Sequence, residues 1–184
     1  MASFKIANRY ATSLFENSLE KNNLETVYDD IILFTKTFDE SSELRRAVES
    51  PVIRTELKLS LIDEIFSDKM SKDTLNFIHF VIDKKREELF YEIAKRFVDM
   101  RNGHLGIVEM VVKTAFEFSK EQISNLKDKF ETILNKKVVM NVTVDKTIVG
   151  GFVAQVGDTV YDASVIHQLD LLRKEFKQGG LALN

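Results

Sequence analysis

Histidines are the side chains best suited to metal binding or proton transfer near neutral pH, and this chain has three of them. His79, His104 and His167 lie far apart, and none has a second histidine at the spacing that a metal site requires. The 184-residue chain has no cysteine, which excludes thiolate metal sites, a cysteine nucleophile and disulfides. We therefore expect each histidine to be a surface or hydrogen-bonded side chain, and we expect no metal site.

Adjacent carboxylates occur at Asp29-Asp30 and at Glu87-Glu88. General acid–base catalysis needs its acid and base to face one reacting atom. Neighbouring residues on a helix point in different directions, so the members of each pair cannot act together. Both pairs are predicted to lie on solvated helix faces. No serine stands in the strand-turn-helix context of a nucleophile elbow, so we expect no catalytic residues.

The adjacent glycines Gly150 and Gly151 could in principle cradle a phosphate. A phosphate loop needs three spaced glycines, or a glycine-rich run ending in Lys and Ser or Thr, before a helix N-terminus. Here the glycines precede a predicted strand, and no such lysine follows. They predict instead a bulge or a close backbone approach at the start of the strand. No cofactor is expected.

The composition is that of a soluble globular protein, with 44% hydrophobic and 30% charged residues. A single proline and seven glycines favour long helices. A net charge of -3 and a pI near 5.7 argue against nucleic acid, which requires a basic surface. No apolar run reaches the roughly 18 residues that cross a bilayer, so no membrane insertion is expected. The N-terminus lacks a secretory apolar core, which predicts a cytoplasmic protein.

The first part of the chain, residues 1–104, is predicted to be a compact bundle of six helices. Apolar residues recur there at steps of three and four, and the connections are short and polar. Pro51 suits the first turn of the fourth helix. The inner face of that helix is predicted to be Leu57, Leu61, Ile65 and Phe66.

The second part, residues 105–184, is predicted to be a small α+β domain with the order strand, helix, strand, hairpin, helix. Gly157-Asp158 is a turn of the kind that closes a hairpin. Asp162 is predicted to cap the last helix, which Gly179-Gly180 should end. The apolar face of this helix recurs at helical spacing and is predicted to pack on the hairpin: Val165, Leu169, Leu172 and Phe176.

The first helix has more apolar surface than a simple bundle helix needs. Its apolar and small residues cover more than half of its circumference: Ala7, Tyr10, Ala11, Ser13, Leu14 and Phe15. Two interpretations remain open. Part of this surface could receive a helix from a partner protein, or the helix could simply be central in its own bundle.

Three stretches of the chain resemble the delta subunit of bacterial F-type ATP synthase, the counterpart of the mitochondrial oligomycin-sensitivity-conferring protein. The first is Arg9-Tyr10-Ala11 with Leu14-Phe15, and the second is Asn76-Phe77 through Arg86. The third is the longest, and its residues follow the family's order: Val144-Asp145-Lys146, Ile148, Gly150-Gly151, Gly157-Asp158, Val160, Asp162, Ser164 and Gln168-Leu169. Two departures concern turns or caps: Lys84-Lys85 where the family usually has Asn-Gly, and Ala163 where it usually has Gly.

The resemblance implies a non-catalytic stator subunit, present in one copy, on the cytoplasmic face of the bacterial membrane. The N-terminal domain would bind the N-terminal helices of the alpha subunits of the catalytic head, in a groove between the first and fifth helices. The residues implied there are Tyr10, Ser13, Leu14, Phe77 and Phe80.

The C-terminal domain would meet the C-terminal part of the stalk b subunits. Leu172 and Phe176 are candidates for this contact, although packing on their own sheet is the competing role. The alternative function is a free-standing helical adaptor or scaffold unrelated to the synthase.

Overall fold

The computed structural model describes residues 2–179, which divide into two compact units between His104 and Leu105. The described part is mainly helical, with a small sheet in the second unit, as predicted. The helices of the first unit are α1 Ala2–Glu20, α2 Leu24–Glu40, α3 Ser42–Glu49, α4 Thr55–Phe66, α5 Lys72–Asp83 and α6 Phe90–His104, with a 3-10 turn at Glu87–Leu89.

The first unit has one continuous hydrophobic core, and four phenylalanine rings lie near its centre. Phe34 of α2 has its ring centroid 4.4 Å from that of Phe38, 5.4 Å from Phe66 and 5.0 Å from Phe90. Such tilted and edge-to-face pairs add to the burial of each ring. Because these rings come from α2, α4 and α6, they fix the mutual packing of those helices.

Helix α1 is both central in the bundle and accessible on one side. Its small residues Ala7 and Ala11 are fully buried, and it packs mainly along α6. Tyr10 is half-buried and Ser13 is exposed. The two interpretations of its wide apolar surface therefore describe two sides of the same helix.

The structure corrects two details of the fourth helix. Pro51 lies in a turn before α4, which begins at Thr55. The inner face is Lys58, Ile62 and Phe66, while Leu57 is exposed. Of the predicted face, Phe66 is buried, and Leu61 and Ile65 are half-buried and pack against the core. Leu57 was wrong, because the core position beside it is occupied by Lys58, and hydrophobic periodicity does not count lysine as a core residue.

The second unit contains a four-stranded sheet with the order β2-β1-β3-β4. Its elements are β1 Ile107–Thr114, α7 Lys120–Leu134, β2 Lys137–Val144, β3 Phe152–Val156, β4 Thr159–Asp162 and α8 Val165–Gly179. Strands β1 and β2 are parallel and joined through α7, and the other pairs are antiparallel. Phe130 of α7 packs on the buried face of the sheet with Met110, Val112, Val138 and Ala154.

Gly151 makes the close backbone approach that its position predicted. Its φ is +81°, and a Cβ at this position would lie 2.3 Å from the carbonyl oxygen of Ala163. Only glycine tolerates both conditions. This close approach of Gly151 to Ala163 holds the start of β3 against the segment that leads into α8.

Helix α8 starts differently from the prediction. Ser164 caps it, since its hydroxyl accepts a hydrogen bond from the amide of His167. Asp162 is instead the last residue of β4, and its carboxylate accepts a bond from the amide of Ser164. The bonds from Ser164 lower the pKa of Asp162. Gly179 is the last described residue of α8, and Gly180 lies outside the described residues.

The prediction that α8 packs on the hairpin was wrong. Every side chain from Val165 to Lys177 is exposed, including Leu172 at 47% and Phe176 at 78%. The helix is attached at its first turn, where the amide of Val165 donates to the carbonyl of Gly150. An amphipathic pattern shows that a face is apolar but does not show what covers it.

Candidate partner-binding surfaces

A groove runs between α1 and α5, and it contains all five residues that the resemblance implied. One part, of about 380 Å³, is lined by Arg9, Tyr10, Ser13, Phe80 and Lys84. The adjoining part, of about 260 Å³, shares Ser13 and Phe80 and continues along the two helices. It is lined by Leu14, Asn17, Ser18, Lys21, Asn23, Val27, Asp73, Asn76 and Phe77 as well. We refer to both parts together as the α1/α5 groove.

One end of the α1/α5 groove has an aromatic ring on each of its two walls. The rings of Tyr10 on α1 and Phe80 on α5 have centroids 5.8 Å apart. Phe80 is 49% exposed, Phe77 is half-buried, and Leu14 is buried beneath them. These exposed aromatic side chains leave apolar surface in contact with water. Such a surface is typical of a site that the apolar face of another protein covers. The groove can therefore bind a helix by its apolar side.

The other end of the groove is polar and internally paired. Lys21, just after α1, lies 2.6 Å from the carboxylate of Asp73 in the first turn of α5, and Asn23 donates to the same carboxylate at 2.9 Å. The hydrogen bond from Lys21 lowers the pKa of Asp73. These bonds connect the end of α1 to the start of α5, so they fix the spacing of the two walls.

A buried carboxylate fixes the start of α5 from the opposite side. Asp30 of α2 accepts bonds from the amide and hydroxyl of Ser71, at 3.0 and 2.6 Å, and from the hydroxyl of Thr74 at 2.7 Å. Asp30 is 6% exposed, so the prediction of a solvated carboxylate was wrong for it. Ser71 is also the N-cap of α5. Asp29, the neighbour of Asp30 in the sequence, is exposed.

In the second pair of carboxylates, too, one side chain is largely buried and the other is exposed. Glu87 forms an ion pair with Lys58 of α4, and both side chains are largely buried. Glu88 is exposed. The expectation of solvation was therefore wrong for Glu87, because Lys58, at a core position of α4, supplies the opposite charge. A buried ion pair of this kind connects α4 to the 3-10 turn that precedes α6.

The three histidines have separate, structural surroundings. His79 Nε2 lies 2.8 Å from Asp63 Oδ1, and the His104 ring packs against Phe15 with centroids 5.7 Å apart. His167 is exposed on α8. Within residues 2–179, no three His, Asp or Glu side chains group as metal ligands would. Over the same residues, no helix combines the length and apolar character that a transmembrane span needs.

The exposed apolar face of α8 is the second candidate surface. It comprises Val165, Leu169, Leu172 and Phe176, each of which is at least 41% exposed. We call these four residues the α8 face. Because the face is uncovered within its own unit, Leu172 and Phe176 are free for an outside contact. Their assignment to a partner remains a prediction.

The two cations of the groove were not among the partner-binding residues that the resemblance implied. Arg9 and Lys84 stand at its edges, with the Arg9 guanidinium carbon 6.0 Å from the Tyr10 ring centroid and the Lys84 Nζ 5.5 Å from the Phe80 centroid. For Lys84 the available signal was its position four residues after Phe80 on the same helix face.

The fold is that of a mainly helical protein with a small α+β second unit, and both candidate surfaces expose apolar side chains. The family model described as ATP synthase delta (OSCP) subunit matches residues 6–176. The chain is 33% identical over 176 residues to the ATP synthase subunit delta of Chloroherpeton thalassium, covering 96% of both chains. It is 34% identical to that of Chlorobaculum tepidum, covering 94% of this chain and 96% of that one.

A solved structure has the same fold over most of its length. A chain in the Toxoplasma gondii mitochondrial ATP synthase hexamer matches with a TM-score of 0.73 and 23% identity, covering 92% of this chain and 96% of that one. The chain described here belongs to the ATP synthase delta (OSCP) subunit family. It is a non-catalytic stator subunit of the F-type ATP synthase.

Proposed function

We propose that the α1/α5 groove binds the N-terminal helix of an alpha subunit of the catalytic head, while the α8 face binds the C-terminal part of the stalk b subunits. One copy of the chain would then join the head to the stalk in each complex, at the cytoplasmic face of the bacterial membrane. This connection would keep the head from turning with the rotor, so that rotor torque drives ATP synthesis.

The α1/α5 groove is the observation that carries this proposal. It is open along two helices, and its accessible apolar side chains come from both walls, chiefly Tyr10, Phe77 and Phe80. An amphipathic helix that binds in such a groove buries apolar surface, and each Å² removed from water contributes about 25 cal/mol of favourable free energy. Contact over several turns lets these contributions accumulate, which suits a joint that works under torque.

The α8 face supports the second half of the proposal. Its apolar residues project from a helix that is attached to its own unit only through its first turn and the preceding segment, among the residues described. A partner helix that packed along this face would cover Leu169, Leu172 and Phe176 together. Such a contact would bury apolar area that the isolated chain leaves exposed to water.

The test is the affinity of the whole chain for a synthetic peptide with the N-terminal sequence of the alpha subunit from the same synthase, measured by calorimetry. Phe80→Asp should weaken binding at least tenfold, because it places a charge on the apolar wall. Thermal unfolding should be nearly unchanged, since Phe80 is 49% exposed.

The matched control is Val52→Asp, an exposed apolar residue outside the groove. It should leave the affinity unchanged. Equal affinities for Phe80→Asp and the unaltered chain would remove the groove from the contact with the alpha subunit.

A further inference from the structure

The apolar part of the α1/α5 groove is bordered by a positive charge on each wall. Arg9 lies on α1 and Lys84 lies at the end of α5, each over one of the two aromatic rings of the groove. The lining of this part contains these two cations, Tyr10, Ser13 and Phe80, and no carboxylate. A helix bound between the two rings would therefore lie close to both cations.

Neither cation is neutralised by a carboxylate among residues 2–179. Arg9 and Lys84 are exposed and form no ion pair there, although they contact the aromatic rings. The lysine at the other end of the groove differs, because Lys21 is bonded to Asp73. The groove is thus positively charged at one end and internally paired at the other.

A neutral or basic partner that covers a cation removes the water bound to it and supplies no acceptor in its place, which opposes binding. A carboxylate at the same place forms a charge-assisted hydrogen bond or ion pair and favours binding. We propose that the groove selects an amphipathic helix with acidic side chains beside its apolar face, at the end that meets Arg9 and Lys84. This inference rests on the proposed binding of a helix in the groove, and it adds the charge of that helix at one of its ends.

The test uses synthetic peptides with the N-terminal sequence of the alpha subunit and the whole chain. Two sets of peptides are made, one altered in the first turn of the helix and the other in the last turn. In each set, the two positions that flank the apolar face are both Glu, both Gln or both Lys. In one of the two sets, affinity should fall in the order Glu, Gln, Lys, by about threefold to tenfold per step at low salt. In the other set, the steps should be smaller. The spread should shrink between about 20 and about 500 mM salt.

Variants of the chain assign the effect to the two cations. Lys84→Gln and Arg9→Gln should each reduce the advantage of the Glu peptide over the Gln peptide, while Lys36→Gln on α2 should not. Lys36 is a suitable control because it is exposed and lies outside the groove.

The outcomes separate this inference from the proposed function. Peptides that bind equally well whatever their charge would overturn the inference and leave the groove as a helix-binding site. An advantage of the Glu peptide that persisted in Lys84→Gln and Arg9→Gln would also overturn it. Failure of every peptide to bind the unaltered chain would overturn both.

Discussion

The carboxylate of Asp30, buried on α2, accepts a hydrogen bond of 2.7 Å from the hydroxyl of Thr74 in the first turn of α5. The same oxygen accepts two bonds from Ser71, the N-cap of that helix. Three donors at the start of α5 therefore converge on one acceptor from a different helix. This arrangement positions the wall of the groove that carries Phe77 and Phe80.

Replacing Asp30 with Ala should destabilise the first unit by about 2–4 kcal/mol, because buried donors on Ser71 and Thr74 lose their acceptor. Denaturant unfolding followed by circular dichroism measures this difference. Asp29→Ala is the matched control, since Asp29 is adjacent, of the same type and exposed. It should change the stability by less than about 0.5 kcal/mol. Similar losses for both variants would mean that the bonds to Asp30 contribute little.

The buried ion pair of Lys58 and Glu87 predicts a non-additive result. Lys58→Met should cost about 3–5 kcal/mol, because the Glu87 carboxylate stays buried without its partner. The double variant Lys58→Met with Glu87→Leu should be clearly more stable than the single variant, since both charges are gone. Unfolding free energies of the unaltered chain, of Lys58→Met, of Glu87→Leu and of the double variant test this. A double variant as unstable as the sum of its single variants would contradict it.

The pair of Lys21 and Asp73 predicts a pH dependence with a defined sign. A carboxylate whose folded pKa is lowered stabilises the fold above its unfolded pKa of about 3.9, and this contribution is lost as pH falls through the folded value. Since Lys21 lowers the pKa of Asp73, the stability difference between the unaltered chain and Lys21→Met should be present near neutral pH and disappear in acid.

A carboxyl-carbon NMR titration measures the same effect directly. The pKa of Asp73 should rise towards its ordinary value in Lys21→Met and stay low in Lys36→Met, a control outside the groove. An unchanged titration in Lys21→Met would show that Asn23 alone holds this carboxylate.

The exposure of the α8 face predicts that charge on it harms binding and not folding. Phe176→Asp and Leu172→Asp should leave the unfolding of the second unit within about 1 kcal/mol of the unaltered chain, because both residues are exposed. Binding to a C-terminal fragment of the b subunit should weaken at least tenfold. Lys174→Asp, on the opposite side of α8, should preserve binding. Loss of folding in Phe176→Asp would instead restore the packing on the sheet that periodicity predicted.

Hydrophobic periodicity predicted the elements well, because each helix and strand needs one buried face to be stable. The buried residues of α5 follow helical spacing in the sequence: Leu75, Ile78, Val81 and Ile82. Periodicity missed Lys58 of α4, because its burial depends on Glu87, which is 29 residues further along the chain. Asp30 was missed for the same reason, since its three donors come from another helix.

The groove shows a second limit of sequence reasoning. Tyr10 and Phe80 could be placed together only through the resemblance to a known family, since periodicity gives the face of each helix and not which helices are neighbours. The α8 face shows a third limit. A stripe of apolar residues on a helix is the same whether its own domain or another protein covers it, so only the structure reveals that it is open.

The central claim is that this chain ties the catalytic head to the stalk through the α1/α5 groove. ATP-driven proton pumping tests it most directly, in inverted membrane vesicles that lack the native chain and are supplied with a purified one. The unaltered chain and Val52→Asp should restore pumping, while Tyr10→Asp combined with Phe80→Asp should leave the head hydrolysing ATP without pumping. Full pumping with the double variant, or with no chain added, would contradict the claim.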